Sequence, residues 1–218
     1  MGTVELAGTR CIIRSHIITY GNAADPLITE QIRAEIEDMW NAPTAVFNKS
    51  GNALRVLFEI TASCQPDISD IAIYSNTDPL NNYFRIENFA HGNISFVDGL
   101  GCNSGYFKLE NLYPGSTTAA HEYGHTLGLA HPENTDIRGK GVPGIMYPRG
   151  TLVDPEFQYD PAVPAGTKGG TLHPQFRRVL PQDIDDLRLQ RLRYQNNVAI
   201  IGDFSNIWHP DHGVGDSV

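Results

Sequence analysis

The chain has 218 residues, a mass of 24.0 kDa and a formal net charge of -9. This length suits one large domain or two small ones, with enough residues to bury a sizeable core. The acidic balance, with no local basic cluster, argues against a nucleic-acid partner or an anionic membrane surface. The apolar runs are far shorter than the roughly 20 residues of a membrane span, so we expect a soluble globular protein.

The first third of the sequence carries clear strand and helix signals. Asp25 and Pro26 form a helix start, with the aspartate as N-cap and the proline in the first turn. Apolar residues then recur at helical spacing, which predicts an amphipathic helix over about 26–41. Isoleucine-rich or β-branched runs predict strands at 10–20, 53–61 and 68–74.

The later elements are shorter and are separated by turn residues. Strands are predicted at 84–87, 94–97 and 106–109, and helices at about 116–128 and 183–193. Between the two helices, residues 132–178 hold half of the chain's prolines and are predicted to be mostly loop. The order of the elements predicts an α/β domain that is divided by a cleft.

The predicted helix at 116–128 carries the most informative segment, H121-E-Y-G-H-T-L-G-L-A-H131. His121 and His125 lie one helical turn apart on one face, and Glu122 lies beside them. His131 would be rotated away by about 240° if the helix continued, but Gly128 can take a positive φ and turn the chain back. The spacing therefore predicts three histidine ligands and one carboxylate around a single metal ion.

Three neutral imidazoles leave the fourth position of a tetrahedral Zn²⁺ free for water, which is typical of a catalytic site. In that arrangement Glu122 takes a proton from the zinc-bound water and passes it to the leaving amine. The alternative is that these histidines are hydrogen-bonded core residues, but the full pattern of fixed positions makes the motif much more specific than H-E-x-x-H alone.

This motif, followed by a methionine turn, is the signature of the metzincin zinc endopeptidases. The stretch G144-I-M-Y-P148 resembles the Met-turn, and the motif, this turn and L180-P-Q-D-I-D-D-L187 together are most similar to those of matrixins. The resemblance implies an α/β (α+β) catalytic domain over 1–218, with an upper lobe of about 1–131 and a lower lobe of about 132–218.

In such a fold a mixed twisted sheet is backed by two helices, and the edge strand of the sheet pairs with an extended peptide substrate. The resemblance also places Met146 as an apolar floor below the zinc ligands, flanked by Tyr147 and Pro148. Matrixins usually continue with Pro-x-Tyr, which forms a wall of the pocket for the residue after the cleaved bond. Here the turn continues as Pro148-Arg149-Gly150 instead.

The segment 149–178 would replace that wall. We expect an ordered irregular loop whose large apolar residues turn inward, leaving an apolar pocket that prefers Leu, Met or Phe after the scissile bond. The alternative is that the loop covers the lower lobe and the pocket is shallow. The residues concerned are Phe157, Tyr159, Leu172 and Phe176.

Other chemistry-bearing residues have plainer interpretations. The cysteines, Cys11, Cys64 and Cys102, form no C-x-x-C pair, and they are read either as free thiols or as one Cys64–Cys102 disulfide. The tail segment 209–212 is read as solvated. The segment 98–105 is read as an ordinary turn, with a Ca²⁺ loop as the weaker alternative. Tyr123 and Thr126 are read as packing residues on the motif helix.

These observations predict a zinc-dependent endopeptidase that acts on extended peptide or protein substrates as a monomer, with one catalytic Zn²⁺. Two alternatives stay open: an exported toxin or effector peptidase with a specific host or competitor target, and a zinc-containing binding module that has lost catalysis. The intact Glu122 argues against the second. Residues 1–5 show no secretory signal, so the signal was removed, the protein is exported without one, or it stays inside the cell; of these we expect secretion or export.

Overall fold

The chain is described by a computed structural model over residues 1–49 and 51–213. Within these residues it forms a mixed α/β fold, as predicted, with one curled eight-stranded sheet and four α-helices. The strands are β1 (Gly2–Ala7), β2 (Arg10–Tyr20), β3 (Val46–Lys49), β4 (Asn52–Cys64), β5 (Asn81–Glu87), β6 (Phe96–Val97), β7 (Ser104–Lys108) and β8 (Val198–Ile201). The helices are α1 (Pro26–Asn41), α2 (Asp70–Tyr74), α3 (Thr118–Thr126) and α4 (Pro181–Asp186).

Strand β2 is the centre of the sheet, whose main order is β3-β4-β2-β5-β7-β6. One edge of β2 pairs in parallel with β4 along nearly its full length. The other edge is shared, because the first half of β2 pairs antiparallel with β1 and the second half pairs in parallel with β5. Parallel strands are commonly covered on both faces, which explains the run of buried isoleucines in β2. The short antiparallel strand β6 forms the edge beyond β7.

Helix α1 connects the sheet to the motif helix α3. It begins where predicted, because an Asp25 carboxylate oxygen accepts a hydrogen bond from the Ile28 amide at 2.8 Å. Its apolar face packs on the sheet, and at its end the Trp40 indole N–H donates to the Ala120 carbonyl of α3 at 3.1 Å. The Trp40 ring also meets Tyr123 edge to face, with centroids 5.8 Å apart. These contacts fix α3 against the sheet.

The strand predicted at 68–74 is wrong, because this segment contains the short helix α2. The Ser69 hydroxyl accepts a hydrogen bond from the Ala72 amide at 3.2 Å and thus caps the helix, and Asp70 lies in the first turn. The side chain of Ile73 is buried, whereas Ile71 is 71% exposed. The alternation of isoleucines therefore did not mark a half-buried strand.

The closing helix is shorter than the predicted 183–193. Helix α4 ends at Asp186, and Arg188 takes a φ of 49°, which a continuous helix cannot contain. One 3₁₀ turn, Leu189–Arg191, follows. The lower lobe of 132–218 also needs correction, because β8 pairs with β1 and belongs to the sheet.

The long segment 132–178 is irregular, as predicted, apart from 3₁₀ turns at Pro155–Phe157 and Pro174–Phe176. It packs around its own small apolar core, separate from the main core. The buried members are Ile137, Val153 and Leu172, and the side chains packed against them are Tyr147, Phe157 and Phe176. Of the four residues predicted to turn inward, Phe157, Leu172 and Phe176 do so, whereas Tyr159 is 44% exposed.

Candidate metal centre

The N-terminus of α3 is stabilised by a carboxylate from another helix. Thr117, the residue before α3, has a φ of 57° and makes no side-chain cap. A carboxylate oxygen of Glu35, on α1, instead accepts a hydrogen bond from the Ala120 amide at 3.2 Å. Burial raises the pKa of Glu35, and the amides of Ala120 and Ala119 oppose that shift. Glu35 was not predicted, because its only sequence signal is a charged residue next to an apolar helix stripe.

The C-terminus of α3 ends in a Schellman motif centred on Gly128. The Gly128 amide donates to the His125 carbonyl at 3.0 Å, and the Leu129 amide donates to the Gly124 carbonyl at 3.1 Å. Gly128 has a φ of 93°. The predicted helix break at this glycine is therefore confirmed, and it returns the chain toward the histidine face of α3.

The three histidines of the motif meet at one point. The Nε2 atom of His131 lies 3.0 Å from that of His121 and 3.1 Å from that of His125. The Nδ1 atom of His121 lies 2.7 Å from the Ile145 carbonyl oxygen, and that of His125 lies 2.7 Å from the Leu129 carbonyl oxygen. Carbonyl oxygens only accept hydrogen bonds, so these Nδ1 atoms carry the protons and the Nε2 atoms present lone pairs.

The Nε2 lone pairs of His121 and His125 thus point toward the Nε2 atom of His131, an arrangement that favours a cation bound among the three nitrogens. Tetrahedral zinc with nitrogen ligands at 2.0–2.1 Å requires ligand nitrogens about 3.3 Å apart, close to the Nε2 separations of these histidines. Burial and the nearby Arg177 lower the pKa of His121 well below its usual value, and burial also lowers the pKa of His125 and His131. The donor set therefore fits a zinc ion, with neutral imidazoles as the three protein ligands.

The turn at 144–148 lies directly against the motif helix. Its carbonyl at Ile145 accepts a hydrogen bond from His121, and the Met146 side chain is 3% exposed. A Cβ atom on Gly124 would stand only 2.4 Å from the Met146 sulfur, so glycine is needed for this close contact. Asp183 of α4 accepts hydrogen bonds from the Leu180 amide at 2.7 Å and from the Ile145 amide.

Glu122 is buried, and it lines a cavity of about 260 Å³ together with His121 and His131. Burial raises the pKa of Glu122 to about 8, and the Arg177 guanidinium and a backbone hydrogen bond from Val97 oppose this. A carboxyl group with a raised pKa has a high proton affinity, which suits a group that must take up and release a proton near neutral pH. A dication at the histidines would lower the pKa of Glu122.

The cavity beside the histidines is not lined by the apolar residues that were predicted to form the pocket. The large apolar residues of 149–178 pack in their own core, and the walls of the cavity include two arginines, Arg149 and Arg177. Apolar surface is contributed by Ile94 and Pro148 near the three histidines. Arg177 was not predicted as a site residue, because nothing in its local sequence pattern indicates that it folds back under α3.

The tail histidines are not solvated as predicted. The His209 Nε2 atom lies 2.9 Å from an Asp98 carboxylate oxygen, and the His212 ring stacks on Tyr106 with centroids 3.9 Å apart. Residues 214–218 lie outside the described part. Across residues 1–49 and 51–213, the only group of three or more potential metal-ligating side chains is His121, His125 and His131.

The remaining site predictions concern packing and cysteines. Tyr123 is buried with its hydroxyl 2.8 Å from the Ser15 hydroxyl, and the Thr126 hydroxyl donates to the Tyr123 carbonyl at 2.8 Å, so both are packing residues as predicted. All three cysteines are free, and the alternative Cys64–Cys102 disulfide is therefore wrong.

Comparison with known proteins gives no match: no family model fits the sequence, and no curated protein is significantly similar to it. Among the described residues, no helix has both the length and the apolar character that a bilayer crossing requires.

Proposed function

We propose that this protein is a zinc-dependent endopeptidase with a matrixin-like metzincin architecture. The observation that carries the proposal is the convergence of three imidazole Nε2 atoms, with Glu122 buried in the adjoining cavity. Three histidines match the ligand set of catalytic zinc sites. The Schellman turn at Gly128 and the close contact of Met146 with α3 support the family likeness.

Zinc held by these histidines supplies Lewis-acid polarisation of a substrate carbonyl and activates a water molecule at neutral pH. The carbonyls of Ile145 and Leu129 hold the imidazoles of His121 and His125 in the orientation and tautomer that bind metal. Glu122 takes the proton from the attacking water and delivers it to the leaving amine. Its burial strengthens these electrostatic interactions.

The sheet edge supports an extended peptide as the substrate. Strand β6 is the edge strand next to β7, and the residues just before it, 93–95, line the cavity that contains Glu122. A peptide that adds to such an edge gains backbone hydrogen bonds along its length and presents alternate side chains to the cavity. We therefore propose protein or peptide substrates, cleaved by a monomer that acts after secretion or export.

Two other functions remain compatible with the same geometry. A toxin or effector peptidase would use identical chemistry on one specific protein, so it differs only in its target. A binding module that has lost catalysis would not need a general base. The position of Glu122, buried and lining the cavity beside the histidines, favours an enzyme over such a module.

The test combines metal analysis with a peptidase assay. Protein purified without chelator is expected to hold one zinc per chain and to cleave a fluorogenic peptide library. The Glu122→Gln variant is expected to keep the zinc, but its kcat should fall by a factor of about 10²–10⁴. The amide preserves the shape of the side chain but cannot take a proton. Glu110→Gln, an exposed carboxylate paired with Lys108, is the matched control and should retain full activity. A zinc-loaded protein that cleaves no peptide, or an active Glu122→Gln variant, would contradict the proposal.

A further inference from the structure

The cavity next to Glu122 carries positive charge from two separate segments. Arg149 follows the turn at 144–148, and Arg177 comes from the end of the long loop. Among residues 1–49 and 51–213, neither guanidinium forms an ion pair with a carboxylate. Arg149 is exposed, whereas Arg177 is only 3% exposed. A buried guanidinium without an ion-pair partner is costly, so an anion bound beside Arg177 would be stabilised.

The hydrogen bonds of Arg177 all go to neutral oxygens. Its Nε atom donates to the Thr117 hydroxyl at 2.9 Å, and its Nη atoms donate to the Tyr147 carbonyl at 3.3 Å and the Ser116 carbonyl at 3.4 Å. Burial lowers the pKa of Arg177 to about 10, and the charges of Glu122 and Glu35 partly oppose this. The guanidinium is thus fixed in position and stays charged at neutral pH.

Two further residues line the same cavity. Thr118 is 5% exposed, and its hydroxyl is one of the buried polar atoms without a hydrogen-bond partner in the described residues. Leaving such a group unpaired costs about 1–3 kcal/mol. Arg149 makes one long hydrogen bond, from Nη2 to the Asn111 side-chain oxygen at 3.4 Å, so most of its donors are available.

The position of Glu122 shows which part of a peptide enters this cavity. In the proposed function Glu122 returns its proton to the leaving amine. That amine belongs to the residue directly after the cleaved bond, so the side chain of this residue lies closest to Glu122. The cavity lined by Glu122 therefore receives that side chain.

We propose that the cavity recognises a carboxylate, and that the protein cleaves peptide bonds on the N-terminal side of aspartate or glutamate. This inference rests on the proposed peptidase function. The guanidinium groups of Arg149 and Arg177 bind the carboxylate, and the Thr118 hydroxyl donates to it. Arginine suits this task because its planar fork matches the two carboxylate oxygens. An apolar side chain in the same place would accept no hydrogen bond from these guanidinium groups.

The inference is tested with quenched fluorescent peptides that differ only at the residue after the cleaved bond: Asp, Glu, Asn, Gln, Leu or Lys. All carry an amidated C-terminus. The wild-type protein is expected to cleave the Asp or Glu peptide with a kcat/KM at least about tenfold above its amide isostere and above the Leu peptide. A parallel set ends at that residue with a free α-carboxylate. Cleavage of only this set would assign the cavity to a terminal carboxylate and overturn cleavage before internal acidic residues.

Substitutions in the cavity test whether its residues determine the preference for Asp or Glu after the cleaved bond. Arg149→Gln should lower kcat/KM for the acidic peptides at least about tenfold and should thereby reduce the ratio of acidic to Leu peptide cleavage, while the exposed position of Arg149 lets the variant fold. Arg138→Gln, an exposed arginine paired with Asp136, is the control and should change neither rate. Thr118→Val should keep the stability while raising KM for the acidic peptides. Thr29→Val, which removes a hydroxyl bonded to the Asp25 carbonyl, should lower the stability without changing the preference.

A binding measurement keeps this inference separate from the proposed function. The anisotropy of labelled peptides is measured with the metal-free protein, in which no cleavage occurs. At least about tenfold tighter binding of the acidic peptide than of its amide isostere supports the cavity assignment. Equal binding, or a wild-type preference for Leu or Lys in cleavage, overturns it. Absence of all cleavage by the zinc-loaded protein contradicts the peptidase proposal, and the binding result then still decides the cavity.

Discussion

A substitution at Gly128 isolates the contribution of backbone conformation to metal binding. Gly128 has a φ of 93°, and a Cβ atom built on it would meet no other atom within 4 Å. Any effect of Gly128→Ala or Gly128→Val therefore comes from the backbone conformation and not from a clash. Residue 128 itself contributes no ligand atom, but it directs the chain from His125 to His131.

The cost follows from the sterics of L-residues at positive φ. Alanine at such a position is strained by about 1–2 kcal/mol, and a β-branched residue by up to about 3 kcal/mol. In the metal-free protein the exposed turn relieves part of this strain by relaxing. Zinc binding requires the turn again, because His131 must reach the Nε2 atoms of His121 and His125. Each 1.4 kcal/mol then weakens zinc binding tenfold, so we expect about tenfold for Ala and up to about hundredfold for Val.

The assay is competition with a chromophoric zinc chelator near neutral pH, together with urea unfolding of the metal-free variants. Gly128→Asn should bind zinc better than Gly128→Val, since asparagine tolerates positive φ more readily. Gly8→Val is the matched control, because Gly8 has a φ of 59° with no atom near its Cβ position and lies in the β1–β2 turn. The Gly8→Val variant should have a lower free energy of unfolding than the wild type and an unchanged zinc affinity. If Gly128→Val binds zinc within about twofold of wild type, the turn does not position His131.

Two further predictions concern the start of α3 and the pH dependence of the metal. Glu35→Ala removes the carboxylate that accepts from Ala120, so urea unfolding should show a loss of about 1–2 kcal/mol, whereas the exposed Glu30→Ala should change stability by less than about 0.5 kcal/mol. The three ligand histidines have pKa values lowered by burial and stay neutral below the usual 6.5, so zinc affinity should fall less than about tenfold between pH 7.5 and 6.0. A site made of three histidines with the usual pKa of 6.5 would lose roughly fiftyfold in zinc affinity over the same pH range, and a loss of that size would refute this reasoning. Because the pKa of each of these histidines is lower in the folded state than in the unfolded state, the unfolded chain binds more protons at low pH. The metal-free protein should therefore lose stability as the pH falls below about 6.5.

The sequence predicted the elements whose signals are local. Asp25 and Pro26 specify the start of α1 through side-chain and backbone geometry, and α1 begins there. Gly128 is specified by the conformation that only glycine adopts easily. The three ligands lie within eleven residues, so helix geometry and one turn were enough to bring them together. These features do not depend on distant parts of the chain.

Features that depend on distant contacts were missed or misread. Strands β1, β3 and β8 are short, and they exist because a neighbouring strand offers unpaired backbone groups. The isoleucines of 68–74 suggested a strand. The segment is a helix instead, with a side-chain cap at Ser69 and with Ile71 on its exposed side. Arg177 lies more than fifty residues from His121, and only the folded chain of 149–178 brings it under α3. The charge of the cavity was therefore invisible in the local pattern.

The pairing of β1 with β8 has a consequence for the folding of the chain. It places Thr3 opposite Ile200, so it closes nearly the entire chain into one loop. Closing a flexible loop of that length costs about 4–5 kcal/mol of chain entropy, which a four-residue strand with its half-exposed Val198 and Ile200 does not recover alone. Strand β8 can therefore join only after β2 has already ordered β1. It is also expected to detach first in partial unfolding, while the parallel centre of the sheet and the histidine site stay intact.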